Sequence, residues 1–404
     1  MKILRAEPED WERLRDIRLR ALLDAPEAFG STHEREAAHT EDAWRNFAIG
    51  WEGTARQAAF VATDDDGRWL GVALGAVRQA DTSLANLYAM WVDPAARGMG
   101  AGRRLVDAVA TWAAGTGAER LELCVTESNE GAVALYRTAG FEPTGGRGEL
   151  RPGSGVTTVT LRRPLAVAAD VVDGLMAEQI RYYEDRAPVY DELWYRRGRY
   201  DRGAAFNERW FRETAALEAA VPDTTGLRVL ELACGSGLWT RHLAPGAARI
   251  VCVDASPAML ARNRETVADP RVRYVEADLF SWSPGGETFD LIAFGFFLSH
   301  LPPDRFTGLW TTLREWLAPG GRVWFCDDVA GPDRPYSGNA VEGVPIANTR
   351  TFDTNDEYRI VKVFWHPRDL ESRLAELGWD AQVRTTGEHF LMGQAVPTGS
   401  PTPG

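Results

Sequence analysis

The sequence predicts an α/β protein in two parts: a mixed α+β fold in the first half and a doubly wound parallel sheet in the second. Three observations carry this reading. Between residues 178 and 395, continuous apolar runs alternate with helical segments, the pattern of parallel strands covered on both faces. Residues 1–165 mix short strands with helices and close on the alternating run Val156-Thr157-Thr158-Val159-Thr160-Leu161. Between the two, Arg162-Arg163-Pro164-Leu165-Ala166-Val167 carries the Pro and small residues of a boundary. The expected division is 1–165, a linker at 166–177, a second domain at 178–395 and a flexible tail at 396–404. A chain of 404 residues has room for two such domains.

In the first half, residues 10–23 read as a helix, with Trp11, Leu14, Ile17, Leu19 and Leu22 at roughly helical spacing. Residues 58–62 and 69–77 read as strands around the turn Asp64-Asp65-Asp66-Gly67. A third strand at 86–92, a helix at 100–114, a strand at 120–125 and a helix at 129–138 follow. In the second half the apolar strands are 227–233, 250–254, 272–277, 289–294 and 321–326.

Composition excludes several functions. The net charge is −13 and the only lysines are Lys2 and Lys362. Such a chain repels nucleic-acid phosphate and anionic bilayers, so neither nucleic acid nor membrane is expected as partner. No apolar run reaches 18 residues, and Met1-Lys2-Ile3-Leu4-Arg5-Ala6-Glu7 leads into acidic sequence, without the apolar core of a signal peptide. The four cysteines are not at metal-ligand spacing and the six histidines form no HExxH pair. A reduced, cytoplasmic protein without a metal site is expected. Nothing in the sequence reports the oligomeric state.

The run Val92-Asp93-Pro94-Ala95-Ala96-Arg97-Gly98-Met99-Gly100-Ala101-Gly102-Arg103-Arg104 joins a strand to a helix. Glycines at every second position let a bulky anion approach the backbone, and the helix start offers unpaired N–H groups. Arg97, Arg103 and Arg104 add charge, which suits a pyrophosphate. Arg97, Gly100 and Gly102 resemble the acyl-CoA loop Q/R-x-x-G-x-G/A of the GCN5-related N-acetyltransferase (GNAT) family. Downstream, Asn129-Glu130-Gly131-Ala132-Val133-Ala134-Leu135-Tyr136-Arg137-Thr138-Ala139-Gly140-Phe141 is similar to the family's second cofactor motif. The resemblance covers residues 1–165. It implies acetyl-CoA between two splayed strands, its pantetheine against 87–92 and its phosphates on Val92, Arg97, Gly98, Gly100, Gly102 and Arg103. It places Tyr136 as the acid that protonates the leaving thiolate, unless its ring simply fills the core. Asn129 either touches cofactor or caps its helix. Many family members carry a glutamate on the strand before the loop; here Asn86 stands there and cannot act as a base. Glu34, Glu36 and Glu127 remain candidates.

In the second half, the first strand ends in Glu231-Leu232-Ala233-Cys234-Gly235-Ser236-Gly237-Leu238-Trp239-Thr240 and the second in Asp254. An acid at the second strand end accepts ribose hydroxyls. Thr240 replaces the third glycine of a dinucleotide loop, which argues against a nicotinamide enzyme. Glu231 suits a cationic ligand. The pattern resembles class I S-adenosylmethionine-dependent methyltransferases, whose sheet is Rossmann-like. Glu231, Ala233, Gly235 and Gly237 match the first motif; Asp254, Ala255 and Met259 match the ribose strand and its helix; Asp278 and Leu279 match the adenine contact. Phe289–Ile292 and Leu317–Gly321 match the fourth and fifth strand regions. The resemblance implies S-adenosylmethionine as cofactor and a lid at 179–191 that brings Tyr183 and Tyr190 to it. His300, after the fourth strand, is a candidate general base or an orienting residue. Trp194, Arg199, Tyr200 and Arg202 are placed to bind an acidic acceptor. Together the resemblances imply a bifunctional enzyme for small-molecule tailoring. It would be a methyltransferase acting on a carboxylate, hydroxyl or amine, fused to an N-acetyltransferase. The alternative is a first half that binds acyl-CoA, or serves as scaffold, without catalysis.

Overall fold

The computed structural model describes residues 1–52, 57–165, 169–329, 340–341, 344–351 and 357–399. The chain divides into two compact units, Met1–Ala168 with Ala330–Asn348, and Ala169–Val329 with Thr349–Gly404.

The first unit runs β1 (Lys2–Arg5), α1 (Trp11–Asp24), α2 (His33–Ala37), α3 (Glu41–Glu52), β2 (Gln57–Thr63), β3 (Trp69–Val77) and β4 (Leu84–Val92). It continues with α4 (Ala101–Gly115), β5 (Arg120–Thr126), α5 (Glu130–Thr138), β6 (Glu142–Glu149) and β7 (Thr157–Pro164). The strands form one sheet in the order β1-β2-β3-β4-β5-β7-β6. Gly75 lets α4 lie directly on one face, because a Cβ there would stand 2.5 Å from the Trp112 ring. Leu14, Ile17, Trp69, Leu74 and Trp91 build the core of the other face. The parallel pair β4–β5 is short. It covers Leu84–Asn86 against Arg120–Glu122 and ends there. Beyond it, β4 bends at a register shift opposite Val72–Leu74, with Ala89 at φ 51°. The edge of Leu87–Val92 that faces away from β3 is therefore left open.

The remaining elements are α6 (Ala169–Arg186), α7 (Ala204–Ala219), β8 (Arg228–Leu232), α8 (Thr240–Leu243), β9 (Arg249–Asp254), α9 (Pro257–Val267), β10 (Val272–Glu276), β11 (Phe289–Gly295), α10 (Pro303–Trp316) and β12 (Leu317–Asp328). Then come β13 (Ala340–Val341), β14 (Val344–Thr351), β15 (Glu357–Val361), α11 (Pro367–Glu376), β16 (Trp379–Thr385) and β17 (Phe390–Pro397). The large sheet of the second unit has the order β10-β9-β8-β11-β12-β17-β16. Its first five strands are parallel. These are the five strands expected from the sequence; two further strands that the sequence reading did not include extend the other end, where β12–β17 and β17–β16 are antiparallel. Only four residues separate β16 from β17, too few for the crossover that a parallel pair requires.

Two boundary expectations also change. Residues 169–177, expected as linker, are the first half of α6, because Val172 and Leu175 bury themselves at helical spacing. Residues 396–397, expected in the tail, still pair with Asp380 and Trp379, and the Thr398 N–H donates to the Gly378 carbonyl at 2.8 Å. Residues 166–168 and 400–404 lie outside the described residues. Among the described residues, no helix is long and apolar enough to cross a membrane.

Candidate functional site

In the first unit the glycine loop follows β4. Gly98 (φ 78°) and Gly100 (φ 82°, the N-cap of α4) adopt left-handed conformations that other residues enter only with strain. The first turn of α4 leaves backbone N–H groups without intrahelical partners, as an anion site requires. Gly102 serves packing as well, since a Cβ would meet Leu135 at 3.0 Å and Met90 at 3.1 Å. The Arg97 Nε donates to the Val92 carbonyl at 3.0 Å while its guanidinium pairs with Asp24. Arg103 is engaged within the protein. It bonds Asp107 at 2.9 Å and the Thr138 carbonyl at 3.0 Å, fastening α4 to the end of α5. Asn129 caps α5 through its Oδ1, which accepts from the Ala132 N–H at 3.1 Å. Tyr136 is buried edge-on to Phe141, and burial raises the pKa of its hydroxyl.

The candidate bases are engaged or exposed. Glu36 is held bidentately by Arg18 at 2.7 and 2.8 Å; burial raises its carboxyl, but the hydrogen bonds and charge of Arg18 outweigh it and leave the pKa lowered. Glu127 pairs with Arg147 at 2.6 Å, and Glu34 is exposed. The sequence reading missed Glu122, which sits across the parallel pair from Asn86 where the strands begin to part. It is buried between Arg78 (2.5 Å) and Arg162 (2.9 Å), and Arg78 also donates to Asn86 at 3.1 Å. A single acid between Leu121 and Leu123 was the only available signal.

In the second unit, the ends of β8, β9, β10 and β11 and one face of α6 enclose a cavity. Ala233, Gly235, Asp254, Ala255, Met259, Asp278 and Leu279 line it, together with Tyr183, Tyr190 and His300. Gly295, Phe296 and Phe297 complete the wall after β11. The backbone here is strained, with Ala233 at φ 49° and Phe296 at φ 57°. Asp254 accepts from the Gly235 N–H at 2.8 Å through one oxygen and from the Ser256 N–H at 2.9 Å through the other. The Ala255 N–H adds a third backbone bond to this carboxylate. Burial raises its pKa against these backbone bonds. Asp278 accepts from the Phe280 N–H at 3.0 Å, which fixes its turn.

Two expected cofactor residues lie behind this wall. Glu231 is 1% exposed and does not line the cavity. Its Oε2 accepts from Thr240 at 2.6 Å, its Oε1 has no partner, and burial pushes its pKa up to about 8. Gly237 (φ 92°) packs on Asn263, whose Oδ1 a Cβ would meet at 2.8 Å. Asn263, missed by sequence reading, staples the loop by donating to Thr240 at 2.9 Å and to the Gly235 carbonyl at 3.3 Å.

The lid is fixed by polar groups that the sequence did not reveal. Asp191 accepts from Ser236 at 2.6 Å and from Arg262 at 2.9 Å. Glu184 accepts from Ser256 and from the Ala258 N–H, at the start of α9. Gln179 donates to the His300 carbonyl at 3.2 Å and accepts from the Val361 N–H at 3.1 Å. His300 Nδ1 meets the Val361 carbonyl at 2.8 Å, so the hydrogen-bond pattern assigns its proton there and leaves Nε2 to accept from the Tyr183 hydroxyl at 2.8 Å. Burial, then the charge of Lys362, hold the His300 pKa well below the usual histidine value. Burial pushes the Tyr190 pKa up to about 12. Of the expected acceptor residues, Trp194 belongs to the core beside Trp239, Arg199 bonds Tyr200 at 2.9 Å and Arg202 lies over Phe206.

Residues 11–141 match the model of the acetyltransferase (GNAT) family, and residues 229–321 match that of the methyltransferase domain. Both are transferase domains. The chain joins a GNAT-family acetyltransferase domain to a methyltransferase domain. Among curated proteins it is similar to a demethylmenaquinone methyltransferase of Clavibacter sepedonicus, 36% identical over 28% of this chain and 45% of that protein. It is also similar to a mycothiol acetyltransferase of Beutenbergia cavernae, 31% identical over 34% of this chain and 42% of that protein. The chain thus spans less than half the length of these relatives. A solved DhpI–SAH complex is 33% identical over 56% of this chain and 99% of that one, with a TM-score of 0.46.

Proposed function

We propose that the second unit transfers a methyl group from S-adenosylmethionine to a small organic acceptor. In this reading the first unit transfers the acetyl group of acetyl-CoA to an amine. The functional domains are taken as 1–165 and 169–398, in a cytoplasmic enzyme that does not bind nucleic acid. The observation that carries the methyl-transfer reading is the convergence on one cavity of Gly235, Asp254 and Asp278 from three successive strand ends, opposite Tyr183 and His300.

The residues fit the cofactor. Asp254, at the end of β9 and lining the cavity, is placed to accept from ribose hydroxyls, and Asp278 with Leu279 can hold a base. When bound, S-adenosylmethionine supplies an electrophilic methyl carbon on a sulfonium. The protein must align the acceptor and exclude water. Phe296, Phe297 and the α6 lid supply the apolar wall, and the Tyr183–His300 bond fixes one side of it. Neutral His300, already accepting from Tyr183, orients rather than deprotonates.

In the first unit, the open edge of Leu87–Val92 and the left-handed Gly98 and Gly100 fit an extended pantetheine and its pyrophosphate. When bound, acetyl-CoA supplies an activated acetyl thioester. Tyr136, kept protonated by burial, is suited to give a proton to the leaving sulfur. One observation favours a second reading, binding without acetyl transfer: Asn86 holds the acid's place, and nearby Glu122 is tied to two arginines. To test both, the protein is incubated with each donor and a fractionated pool of bacterial metabolites. S-adenosylhomocysteine and free CoA thiol are measured. Acceptor-dependent release of both supports two transferases. Release of S-adenosylhomocysteine alone supports the second reading, and release of neither overturns the enzymatic assignment.

A further inference from the structure

The charges around the Tyr183–His300 side of the cavity narrow the class of methyl acceptor. Arg186, which ends α6, is 8% exposed. Its Nη1 donates to the Tyr182 hydroxyl at 3.0 Å and its Nη2 to the Tyr200 hydroxyl at 3.4 Å. The guanidinium stands 5.1 Å from the centre of the Tyr190 ring, which lines the cavity. Its buried Nε has no partner. Among the described residues no carboxylate pairs with it. Arg163, buried to a similar degree in the first unit, has Asp107 at 3.7 Å. Burying a cation without a counter-charge costs several kcal/mol, so an uncompensated guanidinium in a binding segment calls for an anion.

The carboxylates nearby are already engaged. Glu184 serves Ser256 and the start of α9, Asp185 accepts from the Tyr358 hydroxyl at 2.7 Å, Asp191 holds Arg262, and Asp328 holds Lys362 at 2.9 Å. Lys362, Arg350 and Arg186 all act on His300 with positive charge. Protonating His300 would add a fourth cation to this cluster. An acceptor that must first lose a proton finds no competent base in this arrangement. An acceptor already ionised at neutral pH needs none.

We propose that the methyl acceptor is an oxyanion of the carboxylate class, drawn to the Tyr183–Tyr190 side of the cavity by Arg186 and Arg350. This rests on reading the second unit as an S-adenosylmethionine-dependent methyltransferase. In the step it implies, a lone pair of the acceptor oxygen forms the O–C bond. The C–S electron pair stays on sulfur and no proton is released. An anion and a sulfonium give a neutral ester and a thioether.

The test uses the full chain saturated with S-adenosylhomocysteine. Phenylacetate and phenylacetamide serve as matched probes, because Phe280, Phe296 and Phe297 make the wall aromatic. Calorimetry should show phenylacetate binding at least tenfold more tightly than the amide. Arg186→Met should reduce that preference below twofold while shifting S-adenosylhomocysteine affinity less than threefold. Arg186→Lys, which keeps the charge, should retain part of the preference. Equal binding of the probes, or no binding of either, overturns the proposal. A tenfold loss of S-adenosylhomocysteine affinity in Arg186→Met also overturns it, since Arg186 would then answer the carboxylate of the cofactor. The wild-type comparison stands even if the methionine variant fails to fold. Failure of wild-type protein to bind S-adenosylhomocysteine removes the methyltransferase reading itself, and is distinguishable from loss of the probe preference alone.

Discussion

Replacing Glu231 by glutamine is expected to change how stability responds to pH. Glu231 is buried at the end of β8 with one oxygen bonded to Thr240 and the other unpartnered. Burial raises its pKa from 4.5 to about 8, against the opposing bonds from Thr240 and Cys252. The unfolded chain ionises near 4.5, so between pH 4.5 and 8 the folded state binds the extra proton. Its stabilising contribution is complete below pH 4.5 and is lost as pH rises through 8. At about 1.4 kcal/mol per unit, the shift is worth roughly 5 kcal/mol over that window. Glutamine does not ionise and loses nothing. Chemical denaturation of both proteins at pH 5, 6, 7 and 8 should therefore show wild type falling relative to the variant by about 4 kcal/mol from pH 5 to 8. Parallel pH curves would refute the assignment of a buried, proton-holding carboxyl. The second-unit transition is the one to follow, because a two-unit chain need not unfold in one step.

Other expectations follow from single contacts. On the proposed ribose contact, Asp254→Ala should weaken S-adenosylmethionine binding about 100-fold in calorimetry; a change below fivefold contradicts the ribose assignment. Gly102→Val would press on Leu135 and Met90 and should cost at least tenfold in acetyl-CoA affinity, on the order of 1.4 kcal/mol, while leaving S-adenosylmethionine affinity unchanged. Tyr136→Phe should slow acetyl transfer about 100-fold with acetyl-CoA affinity within threefold. An unchanged rate removes its acid role. Tyr183→Phe leaves the buried His300 Nε2 without a donor and should lower unfolding free energy by about 1–3 kcal/mol; an unchanged melting temperature contradicts the bond.

What was legible in the sequence was local. The apolar strand runs, the glycine turns and the acids at strand ends depend on neighbours a few residues away. The cavity accordingly gathers Ala233, Gly235, Asp254, Asp278 and Leu279 from the strand ends. Glu231 and Gly237 carry the same motif but face inward, because Thr240 and Asn263 draw the loop onto α9. Arg103 shows the limit of reading charge from a motif: its partner, the Thr138 carbonyl, is 35 residues away. Glu122, Asp191 and Lys362 were hidden for the same reason, since each acquires meaning only from residues far along the chain. The β16–β17 hairpin was overlooked because its pairing partner is the distant β12, and of α6 only the first turns, residues 169–177, read as linker.

The measurement closest to the central claim is a calorimetric titration of the intact chain with S-adenosylmethionine and acetyl-CoA, separately and together. One site per chain for each is expected, with Asp254→Ala losing only the first and Gly102→Val only the second. Failure to bind S-adenosylmethionine, or loss of both ligands in either variant, would contradict two separate cofactor sites built on the two units.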